Sequence, residues 1–457
     1  MQEILLSDEQ QKLFEYIEST DANIFVTGRA GTGKSTLLNY LISETKKKVV
    51  VCAPTGVAAL NVGGTTIHSL FGFPFGVLGT VDIRRHMNSR VREVLKAIDV
   101  LVIDEVSMVN ADLMDAISTA LGIAKGRAKQ PFGGAQVVMF GDPYQLAPVP
   151  GSAAEERAHM AENYQSHWFF DAHVWRETAL ERFELTEIFR QSDEDFKHIL
   201  NAIREGNCTQ EMLDYLNSRG NRFPPHPDVI RLATINAAVD RVNLHRINQI
   251  DSPFVEFHAD FSDEDAKHFG KTLPAEPVLQ LKVGAQVMFI KNDETKRNAA
   301  GAAVRRWVNG TIGTVVSLPK HGGVIVEVDG EKLEVEPATW EKVRYELKSQ
   351  FDENTGRFKD VLEAVPLAEF RQIPLRLAWA VTIHKSQGQT YDEVVIDLGG
   401  GAFSAGQTYV ALSRVRSLEG MYLTRAIQMR DIMVDENVLR FMAGSKQWSS
   451  SSPEQMF

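Results

Sequence analysis

The sequence predicts an α/β protein made of two parallel-sheet units, the second interrupted by an antiparallel β insertion. Three observations lead there. Short apolar runs in the first third do not alternate with polar residues, the pattern of strands buried on both faces of a parallel sheet. A second series of such runs begins near residue 229, stops, and resumes near residue 377. Between the two parts of that series the period changes to two around an Asp-Gly turn.

In chain order, the first series is Asn23–Thr27, Val49–Ala53, Val100–Ile103 and Gln136–Phe140, each followed by a segment of helical character. The second is Val229–Thr234, then Leu377–Thr382, Val394–Ile396 and Met421–Leu423. In the insertion, Val324–Val328 and Glu331–Val335 flank Asp329-Gly330, whose two residues suit the positive φ of a type I′ hairpin. With Gln286–Ile290 and Gly310–Val316 these strands predict a small antiparallel barrel. The expected units are 1–190, 191–250 with 371–443, an inserted domain at 251–370, and a mobile tail at 444–457.

Composition narrows the class. The 457 residues allow about three domains. Apolar residues make up 44% and charged residues 24%, as in a folded protein outside the membrane. No run approaches a membrane span, and Met1 to Asp8 lacks the basic and apolar blocks of a signal peptide, so no membrane partner and a cytoplasmic location are expected. Two cysteines, Cys52 and Cys208, are too few for a disulfide framework or a cysteine-based zinc site. Lys plus Arg is 49 and Asp plus Glu 60, a net charge of −11, so any polyanion must be held by a local patch. Candidate patches are Arg84, Arg85, Arg90, Arg92 and Lys96, the run Lys125 to Lys129, and Lys291 to Arg306. A solvated helix face is the plainer reading of each.

The strongest chemical signal is Gly28-Arg29-Ala30-Gly31-Thr32-Gly33-Lys34-Ser35-Thr36, a full phosphate-binding loop between a buried strand and a helix. Its glycines let backbone N–H groups curl around phosphates, Lys34 reaches the β and γ oxygens, and Ser35 is a magnesium ligand. Asp104 and Glu105, at the end of a later buried strand, supply the acidic pair such a loop requires. Asp104 is expected to hold magnesium, and Glu105 to orient and deprotonate the attacking water. Gln10 has two readings. Its amide matches an adenine edge, and Ser7 with Gln10 also forms the Ser-x-x-Gln capping box of a helix start.

Further segments carry a resemblance. Asp104 to Met108 resembles the second motif of superfamily one helicases, and Gly141-Asp142-Pro143-Tyr144-Gln145-Leu146-Ala147-Pro148-Val149 the third. Ala53 to Leu60 and Thr65 to Phe71 look like the DNA-contacting motifs of the RecD-like, Pif-type branch, and Pro131-Phe132-Gly133-Gly134 like its signature region. Leu185 to Gln191, Ala380 to Gly388 and Val410 to Val415 resemble motifs four, five and six. The match is ordered from Gln10 to about Arg416.

The resemblance implies two RecA-like motor domains with ATP and Mg2+ between them, a small wedge insertion at about 72–92 in the first, and an SH3-like barrel in the second. Only about 30 residues separate Phe71 from the second-motif strand, so the wedge is expected to be very small. The nucleotide would be bound by Gln10, Gly28, Gly31, Thr32, Gly33, Lys34, Ser35, Thr36 and Gly388, with Gln387 near it. Arg190 and Arg414 would bring charge across the cleft to the γ-phosphate, and Gln145 would sense that phosphate. Pro54, Thr55, Gly56, Thr66 and His68 would grip DNA in the first half, with Thr234, Asn236, Thr382, His384 and Lys385 in the second. Phe73, in an aromatic and proline cluster, is the candidate wedge; a buried loop is its plainer reading. The implied activity is ATP-driven 5′-to-3′ unwinding of duplex or structured DNA, quadruplexes included, by a monomer acting on single strands and junctions. The family settings are DNA repair, recombination and telomere maintenance. A translocase that strips proteins, or a nucleotide-switched clamp, are the alternatives. Glu105 and the two arginines, which hydrolysis needs, disfavour the clamp.

Overall fold

A computed structural model describes residues 6–29, 31–74, 76–148, 153–187, 193–269, 273–293, 296–297, 303–304, 306–319, 323–352 and 357–444. The expected tail beyond 444, and the candidate Arg190, lie outside the described residues.

The first half alternates strand and helix: α1 (Asp8–Ser19), β1 (Ile24–Gly28), α2 (Lys34–Glu44), β2 (Val49–Ala53), α3 (Gly56–Asn61), β3 (Thr65–Thr66), α4 (Ile67–Phe71), α5 (Thr80–His86), α6 (Ser89–Ala97), β4 (Val100–Ile103), α7 (Ala111–Lys125), β5 (Gln136–Phe140), α8 (Ala154–Asn163) and β6 (Glu181–Leu185). The six strands form one parallel sheet in the order β3-β2-β4-β5-β1-β6. Every residue of β1, β4 and β5 is buried, as the unalternating runs require. One face packs Leu13, Leu38 and Phe183, the other Phe25, Ile117 and Phe169.

The second half contributes α9 (Glu194–Glu205), α10 (Gln210–Gly220), β7 (Arg231–Ala233) and α11 (Asn236–Asn248) before the insertion. The insertion holds β8 (Val255–His258), α12 (Asp263–Phe269), β9 (Val278–Leu281), β10 (Gln286–Phe289), the short pair β11 (Lys296–Arg297) and β12 (Ala303–Val304), β13 (Ile312–Ser317), β14 (Val324–Val328) and β15 (Glu331–Val335). There follow β16 (Ala338–Asp352), β17 (Arg357–Gln372) and β18 (Leu375–Leu377). The chain then returns to the parallel sheet with β19 (Ala380–Thr382), β20 (Val394–Asp397), α13 (Gln407–Leu412) and β21 (Met421–Leu423), and ends its described part in α14 (Glu436–Gly444). The second parallel sheet runs β19-β7-β20-β21.

The Asp-Gly turn behaves as expected, with φ of 51° at Asp329 and 82° at Gly330. The expected barrel takes the form of a five-stranded antiparallel sheet, β15-β14-β13-β10-β18, wrapped around Val287, Phe289, Trp307 and Val326. Two features depart from expectation. β16 and β17 make one long two-stranded arm that leaves the insertion and docks on the first half. There the Tyr345 hydroxyl accepts a hydrogen bond from Val51 N at 3.1 Å, and Tyr345 and Leu362 pack on the first-half core. α14, placed by sequence in the second unit, buries Val438 and Met442 in the first-half core, with Phe441 stacked on Phe170 at 4.1 Å.

Candidate functional site: the cleft between the two sheets

The phosphate loop leaves β1 and enters α2. Gly28, Gly31 and Gly33 have φ of 156°, 87° and 78°, and a Cβ on Gly28 would fall 2.7 Å from both Leu185 O and Thr32 Oγ1. No side chain caps α2, so its first N–H groups and its dipole face the loop's hollow. Ser35 and Thr36 are exposed at this end, whereas the Thr32 side chain turns inward and donates to Arg29 O at 3.0 Å. Lys34 Nζ donates to Gly28 O at 2.6 Å and Arg29 O at 3.0 Å, which centres its charge over the loop.

Gln10 makes the capping box: its Oε1 accepts from Ser7 N at 3.1 Å, and its own N–H donates to Ser7 Oγ at 3.4 Å. Its Nε2 then donates to Thr32 O at 3.3 Å and Gly33 O at 3.2 Å. With 3% exposure, the amide ties α1 to the phosphate loop and presents no free edge to a base.

The acidic pair follows β4. Glu105 has φ of 50°, a left-handed conformation unusual for a residue with a Cβ, which aims its carboxylate away from the path of the strand. Burial, then the Glu105 charge, pushes the Asp104 carboxyl up to about 7 against the pull of Lys34. Glu105 is also raised by burial, opposed by Lys34 and Arg414 and assisted by Asp142. Lys34 from the first sheet and Arg414 from the second thus act on one carboxylate. Arg414 is 1% exposed; its guanidinium donates to Val410 O at 2.9 Å, to Ser386 O in the fifth motif and Gln389 O just after it, and to Ser413 Oγ at 2.7 Å.

The third motif faces the same cleft. Gln145 Nε2 donates to Asp142 Oδ2 at 3.2 Å, and its Oε1 accepts from Gln387 Nε2 at 3.4 Å, which joins motifs three and five. Gly388, at φ 79°, follows directly. Gly406, at φ 76° just before α13, comes so close that a Cβ there would fall 1.9 Å from Gln145 O. A glycine is required at that contact.

Arg204 was not anticipated. It lies on α9 of the second half with 2% exposure, yet it reaches first-half groups: Asp142 at 3.3 Å, Glu184 at 3.6 Å, and the Tyr144 ring at 4.1 Å from its centroid. Burial works against its charge, but Asp142, Tyr409 and Glu184 hold its pKa above the ordinary arginine value. A sequence signal existed. Phe196, Leu200 and Arg204 recur at helical spacing on the apolar face of α9.

The residues expected to grip DNA occupy matched places in the two halves. Thr55 caps α3 and accepts from Ala58 N at 3.2 Å; Thr66 caps α4 and accepts from Ser69 N at 3.2 Å. These follow β2 and β3, the edge pair of the first sheet, and Thr234 and Thr382 follow or end β7 and β19, the edge pair of the second. Carboxyl ends of parallel strands are where α/β sheets bind ligands. A Cβ on Gly56 would meet nothing within 4 Å, so no protein contact demands glycine there. Asn236, His384 and Lys385 are exposed, and burial lowers the pKa of both His68 and His384, which keeps them neutral near pH 7. Thr382 is buried, its hydroxyl accepting from Lys385 N at 3.3 Å. Val57 and Ile235, 53% and 51% exposed, lie close in the chain to Thr55 and Thr234.

One assignment is corrected. Phe73 is 6% exposed and stacks on Phe71 at 5.1 Å inside the first-half core, so its ring is a core contact and not a wedge. Adjacent apolar residues at the end of α4 had no polar alternative to burial.

Comparison with known proteins agrees with this geometry. A family model described as PIF1-like helicase matches residues 5–214. The ATP-dependent DNA helicase Pif1 of Bdellovibrio bacteriovorus is 33% identical over 96% of this chain and 92% of its own length. The chain belongs to the PIF1-like helicase family. The ATP-dependent DNA helicase PIF1 of Rattus norvegicus is 34% identical over 98% of this chain, which spans 66% of that longer relative. The crystal structure of Bacteroides sp Pif1 in complex with ADP-AlF4 is 36% identical, covers 96% of both chains and superposes with a TM-score of 0.84. The same Bacteroides protein bound to ssDNA gives 0.66, at 36% identity over 96% of both chains. Among the described residues no helix is long and apolar enough to cross a membrane.

Proposed function

We propose that this PIF1-like protein is an ATP-dependent DNA helicase that moves 5′ to 3′ along single-stranded DNA. The observation that carries the reading is electrostatic. Glu105, at the end of a first-half strand, has its charged form favoured by both Lys34 from its own half and Arg414 from the other, against its burial. Such a carboxylate completes its surroundings only when the halves meet, which is how nucleotide hydrolysis becomes coupled to domain motion. The Bacteroides structures with ADP-AlF4 and with ssDNA support nucleotide and strand as the two ligands.

ATP would lie over the phosphate loop, with Gly28, Gly31, Thr32, Gly33, Lys34, Ser35, Thr36 and Gly388 around its phosphates. Gln10 serves it indirectly, by fixing the loop's carbonyls. The chemistry fits Mg2+. A carboxylate and a hydroxyl are hard oxygen donors of the kind that hold Mg2+ together with phosphate oxygens. Asp104 and Ser35 would hold it, where it supplies positive charge to the phosphate oxygens. Glu105 orients the attacking water and accepts its proton, while Arg414 balances charge on the γ-phosphate. Gln145, bonded to Gln387, passes the state of the cleft to the strand-end threonines.

Thr55, Gly56, Thr66 and His68, opposite Thr234, Asn236, Thr382, His384 and Lys385, would form the strand track, with Pro54 closing β2. Neutral donors and uncharged histidines grip phosphates and bases without sequence preference, so salt dependence should be moderate in spite of the acidic total. The test is ATP-dependent strand displacement on matched duplexes carrying a 5′ or a 3′ single-stranded tail, with Lys34→Ala as control. Release from the 5′-tailed duplex alone supports the reading. Release from the 3′-tailed duplex alone overturns the direction, and DNA-stimulated hydrolysis without release overturns unwinding.

A further inference from the structure

The arm β16–β17 passes over the elements that carry the first-half strand track. Trp340 lies in a cluster packed by Leu60 of α3, Tyr345 bonds to Val51 of β2, and Glu346 comes within 4.0 Å of Arg90 at the start of α6. From Lys348 outward on one strand, and back to Asp360 on the other, the arm's described residues with placed side chains are exposed.

The register decides what the overhang presents. Tyr345, Leu347, Ser349 and Phe351 lie on one face, opposite Ala364, Leu362, Asp360 and Phe358. Phe351 and Phe358 therefore continue the face that docks Tyr345 and Leu362, but they project about 16 Å beyond Glu346 at strand rise. They pair edge to face at 5.4 Å and remain 52% and 72% exposed. An exposed phenylalanine pair at the end of a long ribbon is costly unless something covers it.

α6 packs on the arm at the root of the overhang, where Arg90 meets Glu346, and α5 precedes it in the chain. Their Arg84, Arg85, Arg90, Arg92 and Lys96 are all exposed, and among the described residues only Arg90 has an ion-pair partner. Asp82 and Glu93 are the acids interspersed with them. A concentration of unpaired cations on a chain of net charge −11 is complementary to a polyanion.

We propose that the arm tip and the α5–α6 patch together hold the duplex end of a forked DNA, the phenylalanine pair against the terminal base pair and the cations on its phosphates. The inference rests on the helicase reading. On this reading the single strand follows the first-half track on which the arm packs, and the overhang projects past it, so the ring pair would meet the strands before they separate. A base-pair face is flat and apolar, and stacks on an aromatic ring with no sequence preference. The wedge role that Phe73 cannot fill thus moves to residues the sequence places far away in the chain.

The test compares Phe351→Ala/Phe358→Ala and Arg84→Ala/Arg85→Ala with the parent protein, on a 5′-tailed forked duplex and on single-stranded DNA of equal length. The aromatic variant should bind the fork about tenfold more weakly and displace its strand at least tenfold more slowly. Its single-strand affinity and DNA-stimulated ATPase should stay within twofold. The arginine variant should reduce the salt slope of fork binding by about two, near 0.9 per lost phosphate contact. Restoring aromatic rings with Phe351→Tyr/Phe358→Tyr should restore fork binding. Equal losses on fork and single strand, or an unchanged fork affinity in both variants, would overturn the proposal; an unchanged fork would leave a protein partner as the occupant of the tip. Absence of displacement by the parent protein would overturn the helicase reading instead, and the affinity comparison would still read the tip.

Discussion

Replacing Arg204 by methionine tests how the two halves are held in register. The guanidinium spans the cleft from α9 to Asp142 at 3.3 Å and Glu184 at 3.6 Å, with 2% exposure. Methionine fills most of the volume but removes the charge, and leaves the Asp142 carboxylate, among the described residues, with Tyr144 N and Gln145 Nε2, both at 3.2 Å. Breaking a buried pair from one side costs about 3–5 kcal/mol, since the remaining charge stays desolvated. Arg204 belongs to one half and Asp142 and Glu184 to the other, so the cost of losing those two contacts falls on the closed cleft and not on either core. If half of it reaches the transition state, kcat/KM for DNA-stimulated hydrolysis falls by roughly ten- to sixtyfold, at about 1.4 kcal/mol per factor of ten. The decisive comparison is the double variant Arg204→Met/Asp142→Asn, which removes both charges and should recover much of the loss, a non-additive cycle. Strict additivity, or a harmless Arg204→Met, would refute the reasoning.

Gly406→Ala places a methyl against Gln145 O at a φ of 76°, so it should hold the halves apart: nucleotide still binds the phosphate loop, while DNA-stimulated hydrolysis drops at least tenfold in steady-state assays. Phe73→Ala should cost about 3–5 kcal/mol as a core truncation. Its unwinding and ATPase per folded molecule should fall in the same proportion, read by denaturant melts alongside activity. For Asp104, a raised carboxyl pKa means that the folded state takes up a proton the unfolded chain releases. Its contribution to stability is therefore full below the unfolded value near 4 and is lost as pH rises through about 7. In EDTA, Asp104→Asn should match the parent near pH 4, exceed it progressively from there to about pH 7, by up to about 1.4 kcal/mol per pH unit in denaturant midpoints converted to free energy, and hold a constant excess above that. A constant difference between about pH 4 and about pH 7 would contradict the assignment.

Strand runs and the glycine loop were legible because each is a local pattern: burial on both faces writes itself as an unbroken apolar run, and a phosphate loop as glycines at fixed spacing. The acidic pair and the glutamine of the third motif were legible for the same reason. What escaped depends on partners distant in the chain. The Tyr345 bond to Val51 joins residues 294 positions apart, and α14 returns across the whole chain to the first core. Gln10 shows a different limit: its amide satisfied both a local capping pattern and a ligand-binding one, and only the carbonyls of Thr32 and Gly33 decide how Nε2 is used. Phe73 was misread because an aromatic-proline cluster looks alike whether it faces solvent or core. Arg204 could have been found from the helical phase of α9, had a charged residue on an apolar face been treated as a cross-domain contact.

The central claim is that hydrolysis at Glu105, between Lys34 and Arg414, drives strand separation. Its most direct test is Glu105→Gln assayed for ATP binding, hydrolysis and displacement of a 5′-tailed duplex in the same preparation. The account predicts ATP and single-strand binding close to the parent protein's, with hydrolysis and displacement both abolished. Displacement that persists without hydrolysis, or hydrolysis that survives the substitution, would contradict it.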